Sequence, residues 1–256
     1  MVAFRKIRKM EMIRKRRIMR EKQSKTFEKK PLPQPPFSKE KLLDICDCLE
    51  KTWGMGRKAV SFLEDPLEGL VQTILSQNTN DKNRDRAYAR LMEQYPLWEN
   101  VVSAEEEDLQ QAIGVAGLSK IKSNYIRQAL TSIKARLGEY SLEKLKSRPC
   151  QEIRDFLESM PGVGPKTAAC VLLFQFRCPA FPVDTHVTRV ARRLGIAEKG
   201  HDTRRIEETF RSLLPEHRFL EVHLNFIIHG RNLCLSRNPK CSDCPLSGGM
   251  CPSFFA

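Results

Sequence analysis

The sequence predicts an all-α fold. Apolar residues recur at helical spacing at Leu42, Ile45 and Leu49, at Leu70 and Ile74, and at Ala129 and Ile133. That is the repeat of helices buried along one stripe. Few segments show the alternating, β-branched pattern of strands. A Gly-x-Gly turn, Gly162 to Gly164, separates two more helical stretches. With 256 residues and 41% hydrophobic content, the chain can bury one or two compact cores. No segment is apolar over the length a membrane span requires, and no internal repeat is visible.

The net charge of +13 is unevenly placed. Residues 1–30 hold 13 Lys/Arg against 3 Asp/Glu, whereas the rest holds 31 against 28. The high isoelectric point therefore reports a tail, and the folded part should bind an anionic polymer through a local patch. The tail lacks a long apolar run and a cleavage site, so it does not read as a secretory signal. Glu11, Glu21 and Glu28 and the scarcity of serine disfavour a transit peptide. A solvated, disordered segment is the expectation, with Met10, Met12 and Met19 leaving a later translation start open. Residues 31–36, Pro-Leu-Pro-Gln-Pro-Pro, form a stiff linker. The fold should begin near Phe37.

Cys150 to Met160 carries helical apolar spacing at Ile153, Phe156, Leu157 and Met160. Pro161-Gly162-Val163-Gly164 then reads as a tight turn whose glycines adopt unusual φ values. Pro165 stands in the first turn of a following apolar helix, Thr167 to Phe176. The result is a helix–hairpin–helix. The unpaired N–H groups opening its second helix suit a phosphate oxygen. An ordinary turn between two core helices is the other reading. A P-loop is excluded, because Pro165 separates the glycine from Lys166.

Lys166, in that first turn, sits at the positive end of the helix dipole. A neutral lysine amine there is a nucleophile that can form an imine at a sugar C1′. A solvated lysine contacting phosphate is the alternative. Asp184 opens a helix carrying Val187, Val190 and Leu194, where an aspartate is an ordinary N-cap. His186 reads as a cap or contact residue without a catalytic role. Residues 75–81, Leu-Ser-Gln-Asn-Thr-Asn-Asp, form a polar stretch after an apolar helix.

The chain closes on Cys234, Cys241, Cys244 and Cys251, a C-x6-C-x2-C-x6-C run. Four thiolates so close in sequence can enclose one metal centre. A [4Fe–4S] cluster takes four cysteines. A structural zinc site takes four as well, usually as two C-x2-C pairs. Cys46, Cys48, Cys150, Cys170 and Cys178 are scattered, and their number argues for a reducing compartment. Cys170, in an apolar helix, reads as a buried small hydrophobe.

Met160-Pro-Gly-Val-Gly-Pro-Lys166-Thr-Ala, Val183-Asp184-Thr-His186-Val and the four terminal cysteines together resemble the endonuclease III family. Its members are helix–hairpin–helix DNA glycosylases with a [4Fe–4S] cluster. The likeness runs from about Asp65 to Cys251, with the motifs in the family's order. It implies a six-helix domain over 66–178 and a cluster domain built from 37–65 plus 179–256, with the active cleft between them. Lys166 would be the nucleophile. Asp184 would face it and stabilise the positive charge developing on the sugar.

Gly162 and Gly164 would bind DNA through the hairpin. The 75–81 stretch would supply the loop that fills the gap left by an extruded base. Family members commonly carry glutamine at the intruding position. Here Asn78 stands there, with Gln77 one place earlier. Leu118 resembles a second, apolar wedge. Arg237 and Lys240, inside the first cysteine loop, would reach phosphates. The family's usual last cysteine gap is five residues. Here it is six, with Gly248-Gly249 able to absorb the extra residue.

The resemblance thus implies a monomeric bifunctional glycosylase and abasic-site lyase acting on damaged double-stranded DNA, in the cytoplasm or nucleoid if the source is bacterial. It would remove oxidised pyrimidines and nick by β-elimination. An 8-oxoguanine or other-lesion glycosylase of the same fold, and a non-catalytic iron–sulfur DNA-binding protein, are the alternatives.

Overall fold

The computed structural model describes residues 37–54 and 65–254. The basic tail and proline-rich linker expected over 1–36 lie outside the described residues. Helices α1 (Lys39–Trp53), α2 (Pro66–Leu75), α3 (Asp81–Gln94), α4 (Trp98–Ser103), α5 (Glu106–Ala112) and α6 (Ser119–Leu137) come first. After them come α7 (Cys150–Glu158), α8 (Pro165–Gln175), α9 (Thr185–Leu194), α10 (Thr203–Leu213) and α11 (Phe219–Asn232). Short 3-10 turns punctuate them, and the described residues contain no strand.

The helix starts are set by local chemistry. Asp65 accepts from the Leu67 N–H at 2.8 Å and Asn80 from the Asn83 N–H at 2.9 Å. Asp184 and Asp202 cap α9 and α10 in the same way, at 2.7 and 2.8 Å. Each such cap satisfies one of the donors a helix leaves orphaned and contributes about 1 kcal/mol. Pro66 and Pro165 begin α2 and α8, where a missing N–H is harmless.

Buried side chains gather in two clusters. One joins Leu70 and Ile74 of α2, Leu91 of α3, Ile126 and Ile133 of α6, Leu157 of α7 and Val171 of α8. The other joins Ile45 of α1, Val190 of α9, Phe210 of α10 and Phe226 of α11 around Phe181. Phe181 stacks on Phe210 with ring centres 4.3 Å apart. The chain passes from one cluster to the other between Ala180 and Phe181.

Helix α8 belongs to both clusters. Ala168, Val171 and Leu172 enter the first, and Leu173 enters the second. This explains why its residues are apolar on nearly every side, as expected of a helix buried all round. A largely buried ion pair crosses between the clusters nearby. Arg154 of α7 donates to Glu207 of α10 at 2.6 Å, with the two side chains 14% and 9% exposed.

Cys150 and Cys178, scattered thiols in the sequence, form a disulfide. It ties the first residue of α7 to the segment just after α8, so it encloses the whole helix–hairpin–helix. Among the described residues, no helix is long and apolar enough to cross a membrane.

Candidate functional site

The hairpin turn runs from Met160 to Val163, closed by the Val163 N–H on the Met160 carbonyl at 3.1 Å. Proline in its second position and glycine with positive φ in its third match a type II turn. Gly162 holds φ +81°, and a Cβ there would lie 2.2 Å from the Tyr125 ring. Two constraints therefore coincide on this residue, conformation and space. Gly164 departs from expectation. It is extended at φ −81°, the N-cap of α8, and a Cβ there would meet nothing within 4 Å. Its value is openness, since it has no side chain to cover the helix N-terminus.

Lys166 lies in the first turn of α8 and lines a cleft of about 1520 Å³. Asp184, at the start of α9, lines the same cleft. Its Oδ1 takes the cap bond from Val187. Two groups behind them sense both charges. Burial pushes the Cys170 thiol up, while Lys166 opposes the rise through its charge and a hydrogen bond, and Asp184 adds to it. Burial pushes the His223 imidazole down to about 4, with Asp184 pulling upward and Lys166 downward. His223 Nδ1 is 2.9 Å from the Pro182 carbonyl. A carbonyl only accepts, so Nδ1 carries the proton. The ring thus fixes the strand of chain that leads into Asp184.

The turn after α2 forms another wall. Gln77 and Asn78 both line the cleft. The Gln77 amide donates to the Gly162 carbonyl at 2.9 Å and to the Thr167 hydroxyl at 3.3 Å, so it braces the hairpin. Asn78 adopts φ +52°, one of four described non-glycine residues with positive φ. Leu118 is another, also at +52°. It does not line the cleft. It is 50% exposed, with Ile121 beside it at 47%. Left-handed backbone and apolar exposure thus coincide at Leu118.

The four terminal cysteines are free thiols that line one small space of about 100 Å³. Among the described residues, no three His, Cys, Asp or Glu side chains stand close enough to hold a single metal ion. Two arginines of α9, unforeseen in the sequence, hold this loop. Arg193 donates to the Cys234 sulfur at 3.2 Å and to the Leu235 carbonyl at 2.6 Å. Arg189 donates to the carbonyls of Cys234 and Gly230, each at 2.8 Å.

His229 closes the inner side, with Nε2 3.8 Å from the Cys244 sulfur, and burial pushes its ring down to about 4. Arg237 and Lys240 are exposed on the loop. Asn238 between them holds φ +48°. The arginines and histidines that serve the site lie 41 to 45 residues from their partners or on other helices. No local pattern marks them.

Residues 71–216 match the HhH-GPD superfamily of base excision DNA repair proteins. The chain is 37% identical over 177 residues to the endonuclease III of Sulfolobus acidocaldarius, covering 68% of this chain and 77% of that one. It is 33% identical over 201 residues to the endonuclease III of Bacillus subtilis, covering 78% and 88%. A solved non-covalent endonuclease III–DNA complex superposes with a TM-score of 0.74 and 28% identity, over 86% of this chain and 97% of that chain. The hairpin, the cleft and the four-thiol loop therefore sit on a shared fold, and the chain belongs to the endonuclease III family of helix–hairpin–helix base-excision repair DNA glycosylases.

Proposed function

We propose that this glycosylase is bifunctional, with Lys166 as nucleophile and Asp184 as its electrostatic partner. The observation that carries the reading is the convergence of these two side chains, from different helices, on one cleft beside the open hairpin. The lone pair of the Lys166 amine attacks C1′ as the glycosidic bond breaks; the base leaves with the bonding electron pair and takes up the proton that the attacking nitrogen releases. Asp184 stabilises the cationic sugar in that transition state. The sugar ring opens to an imine. Loss of a C2′ proton then expels the 3′ phosphate by β-elimination, nicking the strand. The substrate we propose is an oxidised pyrimidine, on the strength of family membership.

The domain division at 66–178 against 37–65 plus 179–256 is supported by the two buried clusters. The DNA-facing groups we assign are the amides around Gly162 and Gly164, the turn of Gln77 and Asn78, Leu118, and Arg237 with Lys240.

Cys234, Cys241, Cys244 and Cys251 would hold a [4Fe–4S] cluster. Four soft thiols line one space of about 100 Å³, and with one C-x2-C pair rather than two they suit a four-cysteine cluster better than a structural zinc site. Such a group supplies a rigid staple and a local charge. Arg193 donates to the Cys234 sulfur at 3.2 Å and so helps to place that thiol.

Borohydride trapping tests the reading. Wild-type protein should become covalently joined to abasic-site DNA, and Lys166→Ala should lose both the adduct and the nick while still binding. Asp184→Asn should slow base release on the order of 10²–10³-fold. An adduct at full yield in Lys166→Ala would assign the nucleophile elsewhere.

A further inference from the structure

Helix α6 carries a lysine where its pattern calls for a core residue. Lys122 stands at helical spacing with Ile126, Ala129 and Ile133, and it is 1% exposed. A cation that deep requires compensation. It finds two acceptors. Lys122 Nζ donates to the carbonyl of Leu75 and to the carbonyl of Ala116, each at 2.8 Å. Leu75 is the last residue of α2, and Ala116 ends the 3-10 turn Gly114–Ala116. Carbonyls at such ends lack intrahelical partners, and they carry the negative end of the helix dipole. One buried nitrogen thus joins two chain ends 41 residues apart in sequence.

Just beyond each pinned carbonyl the backbone turns left-handed. Three residues past Leu75 lies Asn78, and two past Ala116 lies Leu118, each at φ +52°. A left-handed asparagine is tolerable, whereas a left-handed leucine costs about 1–2 kcal/mol and persists only where its surroundings impose it. Gly117, between the anchor and Leu118, is itself at φ +71°. Both turn tips therefore hang from the same ammonium group by two or three residues. Gln77 ties the first turn onward to the hairpin.

We infer that Lys122 is a positioning residue that sets the separation and aim of the Asn78 and Leu118 turns, the two elements that enter the duplex when a base is extruded. The inference rests on the proposed DNA-facing roles of those turns. Lys122 itself touches no substrate. Extrusion requires two intruding groups to arrive together, and misplacement of catalytic geometry by about 1 Å can cost on the order of 100-fold. A hydrophobic residue at this position would leave two buried carbonyls unpaired and the turns free to drift.

The test uses the full-length protein and Lys122→Met, which keeps the length of the side chain and removes its donors. A 2-aminopurine next to a single lesion reports extrusion, and quenched-flow assays report base release. Wild-type activity on the lesion establishes the glycosylase reading first and independently. Lys122→Met should slow extrusion and base release about 10- to 100-fold, with Kd for undamaged DNA little changed. In a Leu118→Ala background the same substitution should slow base release by less than about threefold, because residues that act as a unit are not additive.

Lys122→Gln, whose amide offers two N–H donors, should rescue part of the rate and serves if the methionine variant folds poorly. Hydrogen exchange across residues 76–80 and 117–118 should quicken in the methionine variant and recover in the glutamine one. A folded Lys122→Met that extrudes at the wild-type rate would overturn the inference. So would a penalty that multiplies in full with that of Leu118→Ala.

Discussion

The hairpin and the cysteine loop, both proposed to meet DNA, hold their shapes by different means. Around the hairpin, protein contacts do everything. Gly162 packs on Tyr125, Gln77 grips the turn, and the Cys150–Cys178 disulfide closes the motif from behind. The cysteine loop has little of this. Its sulfurs ring a small space, and Arg189 and Arg193 hold one end. Only Leu246 of residues 234–251 is fully buried. The hairpin's order is intrinsic, whereas on the proposed cluster assignment the loop's order would depend on what its thiols enclose. This is the usual division between a packed motif and a metal-folded one.

The sharpest break of the comparison is at Cys241. Cys241→Ser should lose the chromophore and iron altogether and expose residues 234–251 to protease. The fragment containing residues 66–178 should stay resistant, as limited proteolysis with mass spectrometry would show. Loss of both regions together would mean that the hairpin also depends on the cluster.

Next in size is Gly162→Ala. The left-handed backbone and the overlap with Tyr125 should together cost about 2–5 kcal/mol, seen as a lower Tm. Gly164→Ala should leave Tm within about a degree and weaken only the Kd for abasic DNA, because its backbone is ordinary and its surroundings open. Equal Tm losses would refute the distinction drawn between these glycines.

The disulfide comes third. Its loop spans 28 residues, and closing such a loop is worth about 3–4 kcal/mol in the chain-entropy account, commonly less in practice. Cys150→Ser with Cys178→Ser, or added reductant, should lower the denaturation midpoint and leave iron content unchanged.

The smallest effect concerns pH. The folded pKa of His223, about 4, lies below its unfolded value of 6.5, so folding favours the neutral ring. The contribution is complete above pH 6.5 and is lost as pH falls towards 4. His223→Phe should flatten that part of the stability profile. An unchanged profile would show that another group governs acid unfolding.

What can be read from the sequence is what is local in it. The hairpin needs a proline and glycines within five residues, and the thiol loop needs four cysteines within 18, so both show in the linear text. The helix caps at Asp65 and Asp184 show for the same reason. Arg189 and Arg193 are invisible there, because an arginine on an amphipathic helix looks the same whether it meets water or a carbonyl 41 residues away. The Cys150–Cys178 pairing has no trace in spacing. Gly164 misleads because glycine marks both unusual backbone and mere absence of bulk, and only coordinates separate the two. Lys122 does leave a sign. It occupies a core position of α6, four residues before Ile126, and a lysine there has to be paired.

Helix α8 contributes side chains to both buried clusters, and the Arg154–Glu207 pair fastens the same seam. A hinge needs a segment with few packed neighbours, whereas Ala168, Val171, Leu172 and Leu173 of α8 are all buried. A cleft that keeps its width leaves the work of fitting to the nucleic acid. The energy of bending and unstacking then becomes part of recognition. A base pair already weakened by damage yields at lower cost than a sound one. A well-packed α8 would thus make the softness of a damaged site part of what is recognised.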